Sequence, residues 1–145
     1  MYNNNQNANY YFENSIKTAS PAKLVELLYQ NSIERINKAI KSIENKNLSE
    51  ANKQIIRVED IVTELNVSLN LEKGGEVAKN LRALYNYMYQ RLLESNTKKD
   101  IEILKEVRSL LQELLDTWKE LLKKEVKTSR ELNVKSVDPK FDLQY

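Results

Sequence analysis

Cysteine and histidine are both missing from the 145-residue chain, and glycine and proline occur only twice each. Without cysteine there is no disulfide framework and no thiolate to attack a substrate or bind a metal. Without histidine the chain lacks the commonest general base and the commonest metal ligand, which also excludes a di-iron bundle of the Glu-x-x-His type. Scarce glycine and proline leave little turn chemistry, so the elements must be few and long, as in an all-helical chain with short connections. No apolar run approaches the roughly 20 residues needed to span a bilayer. The opening MYNNNQNANYYFENS has neither the basic start nor the apolar centre of a secretory signal. A formal net charge of +2, with basic and acidic residues interleaved, points to neither nucleic acid nor membrane insertion. Nucleophile–base pairs, metal-ligand clusters and phosphate loops are lacking too. Gly74-Gly75 follows no strand and precedes no lysine–serine pair. The chain is therefore expected to be no enzyme and to need no cofactor or metal.

What is present is helical periodicity. Residues 1–19 form a polar lead whose apolar weight is Tyr10, Tyr11, Phe12 and Ile16. Two readings stand: a frayed terminus, or a segment whose aromatic cluster docks on the rest. Ser20-Pro21 is a helix start, serine accepting from an orphan N–H and proline lacking the N–H that would go unpaired. A helix over about 21–44 then carries Val25, Leu28, Ser32, Ile36, Ala39, Ile40 and Ile43 on one face. Asn47 with Glu50 resembles a capping box for a helix over 48–70. There Ala51, Ile55, Val58, Val62, Leu65 and Leu69 follow a 4-3-4-3-4 spacing, the pattern of a packed seam.

Gly74 or Gly75 is expected to supply a positive φ before a helix over 75–95, whose core face is read as Val77, Leu81, Leu84, Met88 and Leu92. Asn96 is expected in the left-handed position, and Thr97 with Asp100 as the cap of a last helix over 98–128. That helix has apolar residues over about half its circumference, either because it is central to the core or because it awaits a partner. Residues 129–145 are read as a mobile tail. The fold class is therefore all-α: an antiparallel up-down-up-down four-helix bundle over 20–128, with a short N-terminal lead and a C-terminal tail.

Some residues do not fit the core lines. Ile56 and Val67 fall nearly opposite the seam of the second helix. Tyr85 and Tyr89 flank the core face of the third helix, whereas Tyr87 points among Asn80, Arg91 and Glu94. Tyrosine buries much area with few rotors and suits a recognition groove. These residues suggest a bundle that binds an amphipathic helix or peptide. The competing reading is a self-associating structural bundle, a weak homodimer held by the same outward points.

Several stretches then carry a family resemblance: Tyr11 with Asn14-Ser15, TASPAKLVELLYQ from Thr18, ELNVSLN from Glu64, ALYNYMYQRLLESNTKKD from Ala83, and the late Trp118. In this order, over about residues 8–125, the chain resembles the FliS-type flagellin export chaperones of bacteria. Tyr10 and Phe12 depart from the family pattern, and nothing after Thr128 aligns. The resemblance implies a cytoplasmic chaperone that binds the disordered C-terminal segment of flagellin, keeps it from polymerising and delivers it to the flagellar type III export gate. It also implies an N-terminal segment that covers part of the client surface and can be displaced. The family-type positions are Tyr11, Leu65, Asn66, Leu69, Tyr85, Tyr87, Met88 and Arg91. With the core seams set aside and the helical-wheel points added, the expected client-binding residues are Tyr11, Ile56, Asn66, Val67, Tyr85, Tyr87 and Arg91.

Overall fold

A computed structural model of the chain describes the backbone of residues 4–134 and the side chains of residues 10–132. Five helices follow one another: α1 (Asn4–Thr18), α2 (Pro21–Glu44), α3 (Leu48–Val67), α4 (Leu71–Lys98) and α5 (Ile101–Val134). The last four close into a ring in which α2 packs on α3, α3 on α4, α4 on α5 and α5 on α2, while α1 lies against α2. Short connections make each neighbour antiparallel, as the spacing of the turns requires.

The helix starts obey local chemistry. Ser20 Oγ accepts from the Lys23 N–H at 3.2 Å, with Pro21 in the first turn. Asn47 Oδ1 accepts from the Glu50 N–H at 3.3 Å, but Glu50 turns its own carboxylate to Gln54 instead of closing the box. Asn70 Oδ1 accepts from the Lys73 N–H at 3.0 Å, so α4 starts at Leu71, ahead of the two glycines. The glycines bend it instead: Gly75 has φ 54° and ψ −132°, a region that only glycine adopts at little cost. At the far end Lys99, not Asn96, takes the left-handed position (φ 52°). Asp100 Oδ1 then caps α5, accepting from the N–H groups of Glu102 at 2.9 Å and Ile103 at 3.3 Å. Asn96 stays helical because its side chain is held across to Asn52.

The core runs the length of the ring. From α3 it takes Ala51, Ile55, Val58, Val62 and Leu65, all nearly fully buried, with Leu69 half-buried. From α2 it takes Leu28, Ser32, Ile36, Ala39 and Ile40, and also Tyr29; Val25 and Ile43 sit at its edge. The α4 line differs from its expected one. It runs Ala78, Tyr85, Met88, Leu92 and Ser95, with Leu81 and Leu84 at the margin and Val77 half-exposed. Helix α5 contributes Ile103, Leu104, Val107, Leu111, Leu115 and Trp118. Its remaining apolar width lies at the margins, with Leu110, Leu114 and Leu122 half-buried and Leu121 exposed. Trp118 Nε1 donates to the Ala22 carbonyl at 2.8 Å, which pins α5 to the first turn of α2.

Within the N-terminal lead, Asn4–Thr18 form a helix, so that stretch is not a frayed terminus. The tail expected from residue 129 begins as a continuation of α5 to Val134; residues 135–145 lie outside the described residues.

Candidate functional site

Apart from Tyr85, the expected contact residues fall on three different faces. The first is the one α1 covers. Phe12 and Ile16, four residues apart on α1, face a cleft of about 220 Å³. Leu28 and Ile61 give it apolar surface, and Glu13 of α1 with Asn31, Arg35, Arg57, Asp60 and Glu64 of α2 and α3 complete its lining. Phe12 is half-buried there, whereas Tyr10 and Tyr11 turn away, 66% and 68% exposed, with their rings edge-on at 5.9 Å. Arg35 spans the cleft wall, its Nε donating to Asn31 Oδ1 at 2.8 Å and its Nη1 to Gln54 Oε1 at 3.2 Å. Burial and the nearby Arg57 charge lower its pKa from the usual arginine value. Sequence reasoning allowed the lead to dock through its apolar cluster but did not locate this cleft. The signal was there in the i, i+4 pair Phe12 and Ile16, an apolar stripe on an otherwise polar segment.

The second face is the seam between α3 and α4. Asn96 Nδ2 donates to Asn52 Oδ1, and Asn66 Nδ2 donates to Asn86 Oδ1, each at 2.8 Å. The two amide pairs tie the helices together at points about 21 Å apart along α3. Ile56 (41% exposed) and Leu93 (39%) lie on the surface between them, and Val67 (77%) stands just beyond. Between them too is Glu59, only 8% exposed. Its Oε1 has no hydrogen-bond partner, and Asn66 Oδ1 is likewise enclosed and unpartnered. Burial pushes the Glu59 carboxyl above the usual carboxylate range, and the adjacent Asp60 charge adds to the shift.

The third face is the α4–α5 seam. Tyr87 is 46% exposed, and its hydroxyl donates to both Glu106 oxygens at 3.2 Å. Arg91 Nε donates to Glu106 Oε1 at 2.7 Å and its Nη1 to Glu94 Oε2 at 2.6 Å. Those acceptors hold the Arg91 pKa above its usual value, the Glu106 hydrogen bond first among them. Tyr87 thus reaches the neighbouring helix through its hydroxyl and is held in a polar network while remaining about half exposed.

Tyr85 belongs to none of these faces. It is 2% exposed, and its hydroxyl meets that of Tyr29 at 2.5 Å inside the core. Its expected place at the edge of the core face is corrected: the ring completes the core line of α4, where a partner would have to open the bundle to reach it.

No group of three or more acidic residues among the described residues could hold a metal ion. No helix among them is long and apolar enough to cross a membrane. The three faces present a cleft between α1 and the α2–α3 pair, and two seams with exposed apolar and hydrogen-bonding groups.

Comparison with known proteins agrees with this picture. A family model described as flagellar protein FliS matches residues 2–125. A flagellar secretion chaperone FliS from Bacillus subtilis (strain 168) is 35% identical over 117 residues, covering 81% of this chain and 86% of that protein. The flagellar secretion chaperone FliSB of Pseudomonas aeruginosa is 38% identical over 106 residues, covering 73% of this chain and 84% of the relative. A crystal structure of a flagellar chaperone from bacteria superposes with a TM-score of 0.69 at 20% identity, covering 84% of this chain and 99% of that one. At that identity it speaks for the helical fold alone.

Proposed function

Because the chain belongs to the FliS family of flagellar secretion chaperones, which are not enzymes, we propose that its client is flagellin and that it binds the disordered C-terminal segment of that protein. In this reading binding takes place in the cytoplasm, prevents premature polymerisation and ends with delivery to the flagellar type III export gate. The observation that carries the reading is the way α1 occupies the α2–α3 cleft. It inserts Phe12 and Ile16, leaves Tyr10 and Tyr11 outside, and packs only on the rim of the bundle. A helix held so lightly is a stand-in for a helix of the client and can be displaced by it.

The client then continues over the neighbouring seams, where Ile56, Asn66 and Val67 on one side and Tyr87 and Arg91 on the other offer apolar and hydrogen-bonding contacts. Tyr11 is placed to join from α1. Tyr85 supports these faces from within the core. A client that folds as it binds spends part of the contact free energy on ordering its chain, which leaves an affinity compatible with release at the gate.

The test is calorimetry and circular dichroism of the full chain mixed with a peptide of the flagellin C-terminal segment. Binding with a gain of helix is expected; no binding at tens of micromolar overturns the reading. Sedimentation of the chain alone separates it from a self-associating bundle, for which a stable dimer broken by Ile56→Ser and lacking client affinity would speak.

A further inference from the structure

The α3–α4 seam holds two enclosed acceptors and no donor to meet them. Glu59 Oε1 and Asn66 Oδ1 are the unpartnered enclosed side-chain atoms recorded among the described residues. They sit seven positions apart in the chain, so two helical turns, about 10.5 Å, separate them along one line of α3. Both lie on the α4 side, as the Asn52–Asn96 and Asn66–Asn86 pairs require. Among the described residues, the ion pairs at this end of α4 join Glu94 to Arg91 and Lys98, and Arg91 turns on to Glu106 of α5, away from the seam. Burying a carboxylate with no cation or full set of hydrogen bonds is unfavourable, and a fold carrying one gains when a partner supplies the missing donor. Beside the two acceptors, Ile56 and Leu93 expose apolar surface on opposite walls of the same seam.

We propose that this seam receives an amphipathic helix of the client that sets a lysine or arginine against Glu59, a second hydrogen-bond donor two turns along against Asn66, and apolar residues on Ile56 and Leu93, about one turn from Glu59 on the side away from Asn66. Glu59 is the specificity-determining group: a helix with the same apolar face but no cation at that position leaves the carboxyl unpaired. Charge complementarity selects the occupant. An acidic or purely apolar segment gains nothing from the two acceptors, whereas a basic donor converts an uncompensated carboxyl into a charge-assisted hydrogen bond. With 8% of its surface still open, Glu59 lies just under the rim, and turning its own side chain brings the carboxyl to a ligand. This inference rests on the reading that the client is the flagellin C-terminal segment.

The experiment measures affinity of the full chain and its Glu59→Gln variant for a flagellin C-terminal peptide, and for peptides in which each lysine and arginine in turn is replaced by glutamine. Glu59→Gln keeps size and shape and removes the charge, so the variant is expected to fold, as its melting curve records. Its affinity should fall about 10- to 100-fold, as expected for loss of a charge-assisted partner. One basic residue of the peptide should cost as much on the wild-type chain and almost nothing on the variant. Equal affinities for both chains, or losses that simply add, would overturn the proposal and leave the client assignment standing. No binding of the peptide to the wild-type chain would overturn both. A wild-type dimer that Glu59→Gln dissolves would assign the seam to a second copy and also overturn it. A Glu59→Ala variant that melts like wild type but binds like Glu59→Gln supports the charge, not the side-chain bulk, as the determinant.

Discussion

The hydroxyls of Tyr29 and Tyr85 meet at 2.5 Å in a part of the core where both residues are 2% exposed. Burial pushes both phenols above their usual value, so neither ionises at any working pH. Whichever hydroxyl donates, removing one by Tyr29→Phe or Tyr85→Phe leaves the other enclosed without its partner, at a cost of about 1–3 kcal/mol. Removing both replaces the pair by two apolar rings of nearly the same shape, which is close to neutral. The double variant should therefore be close to wild type in stability, and the coupling is the sum of the two single losses, about 2–6 kcal/mol. For a domain of this size that corresponds to melting temperatures lower by roughly 3–5 °C per kcal/mol in each single variant. Urea unfolding of the four proteins, followed by circular dichroism with an unchanged slope, measures the cycle. Losses that add in the double variant would refute the reasoning, because they would mean that each hydroxyl has a partner of its own. The same proteins test the place of Tyr85. If Tyr85→Phe weakens client binding while leaving stability intact, the tyrosine is a contact and not a core residue.

Met88, fully enclosed on the next turn, should lose about 2–5 kcal/mol on truncation to alanine. Tyr87→Ala, which removes a half-exposed ring and a hydrogen bond at the surface, should change stability by under about 1 kcal/mol yet weaken client binding; thermal melts and calorimetry separate the two. Gly75→Ala meets open space but must hold φ 54°, so a loss of about 1–3 kcal/mol in urea unfolding is expected from backbone strain alone. Deleting residues 1–16 uncovers the α2–α3 cleft; if α1 is docked about nine-tenths of the time, client affinity should rise roughly tenfold, and an unchanged value would show that α1 is not a competitor. For Glu59, the folded-state pKa is raised, so the fold holds a proton that the unfolded chain releases, and stability falls as pH climbs through the unfolded value. Glu59→Gln should accordingly melt close to wild type near pH 4 and above it at pH 7; a gap that stays constant with pH would show that the carboxyl is compensated after all.

Local chemistry explains which parts of this structure could be read from residues alone. Ser20-Pro21 starts α2 because capping needs only the residues at hand. The line from Ala51 to Leu65 is buried because a 4-3-4-3 spacing can face only one way. Trouble begins where a choice depends on a neighbour. On an ideal wheel Leu84 and Tyr85 flank the α4 core line on opposite sides, and only the presence of Tyr29 on α2 decides that the tyrosine goes in and the leucine stays at the margin. Asn96 is a plausible left-handed residue by propensity, but its amide bonds to Asn52 on α3, so the turn passes to Lys99. Tyr87 reads as outward because its partner, Glu106, lies on another helix nineteen positions further on.

The same reasoning separates core from contact in the functional faces. Residues expected from periodicity to be outward, Ile56 and Val67, are outward. Glu59 gave no local sign, since a glutamate beside an aspartate on a helix reads as solvated surface, and its burial depends on how closely α4 is drawn in by the two asparagine pairs. Those pairs hold the seam together at its ends and leave Glu59 in its middle with an enclosed oxygen that has no partner. A bundle that needed only to be stable would do better with an apolar residue at that position, because a well-packed hydrophobic side chain is often equal to or better than a buried charge. The uncompensated carboxyl is therefore easier to understand in a protein whose seam is meant to be completed by another chain than in one that is complete alone.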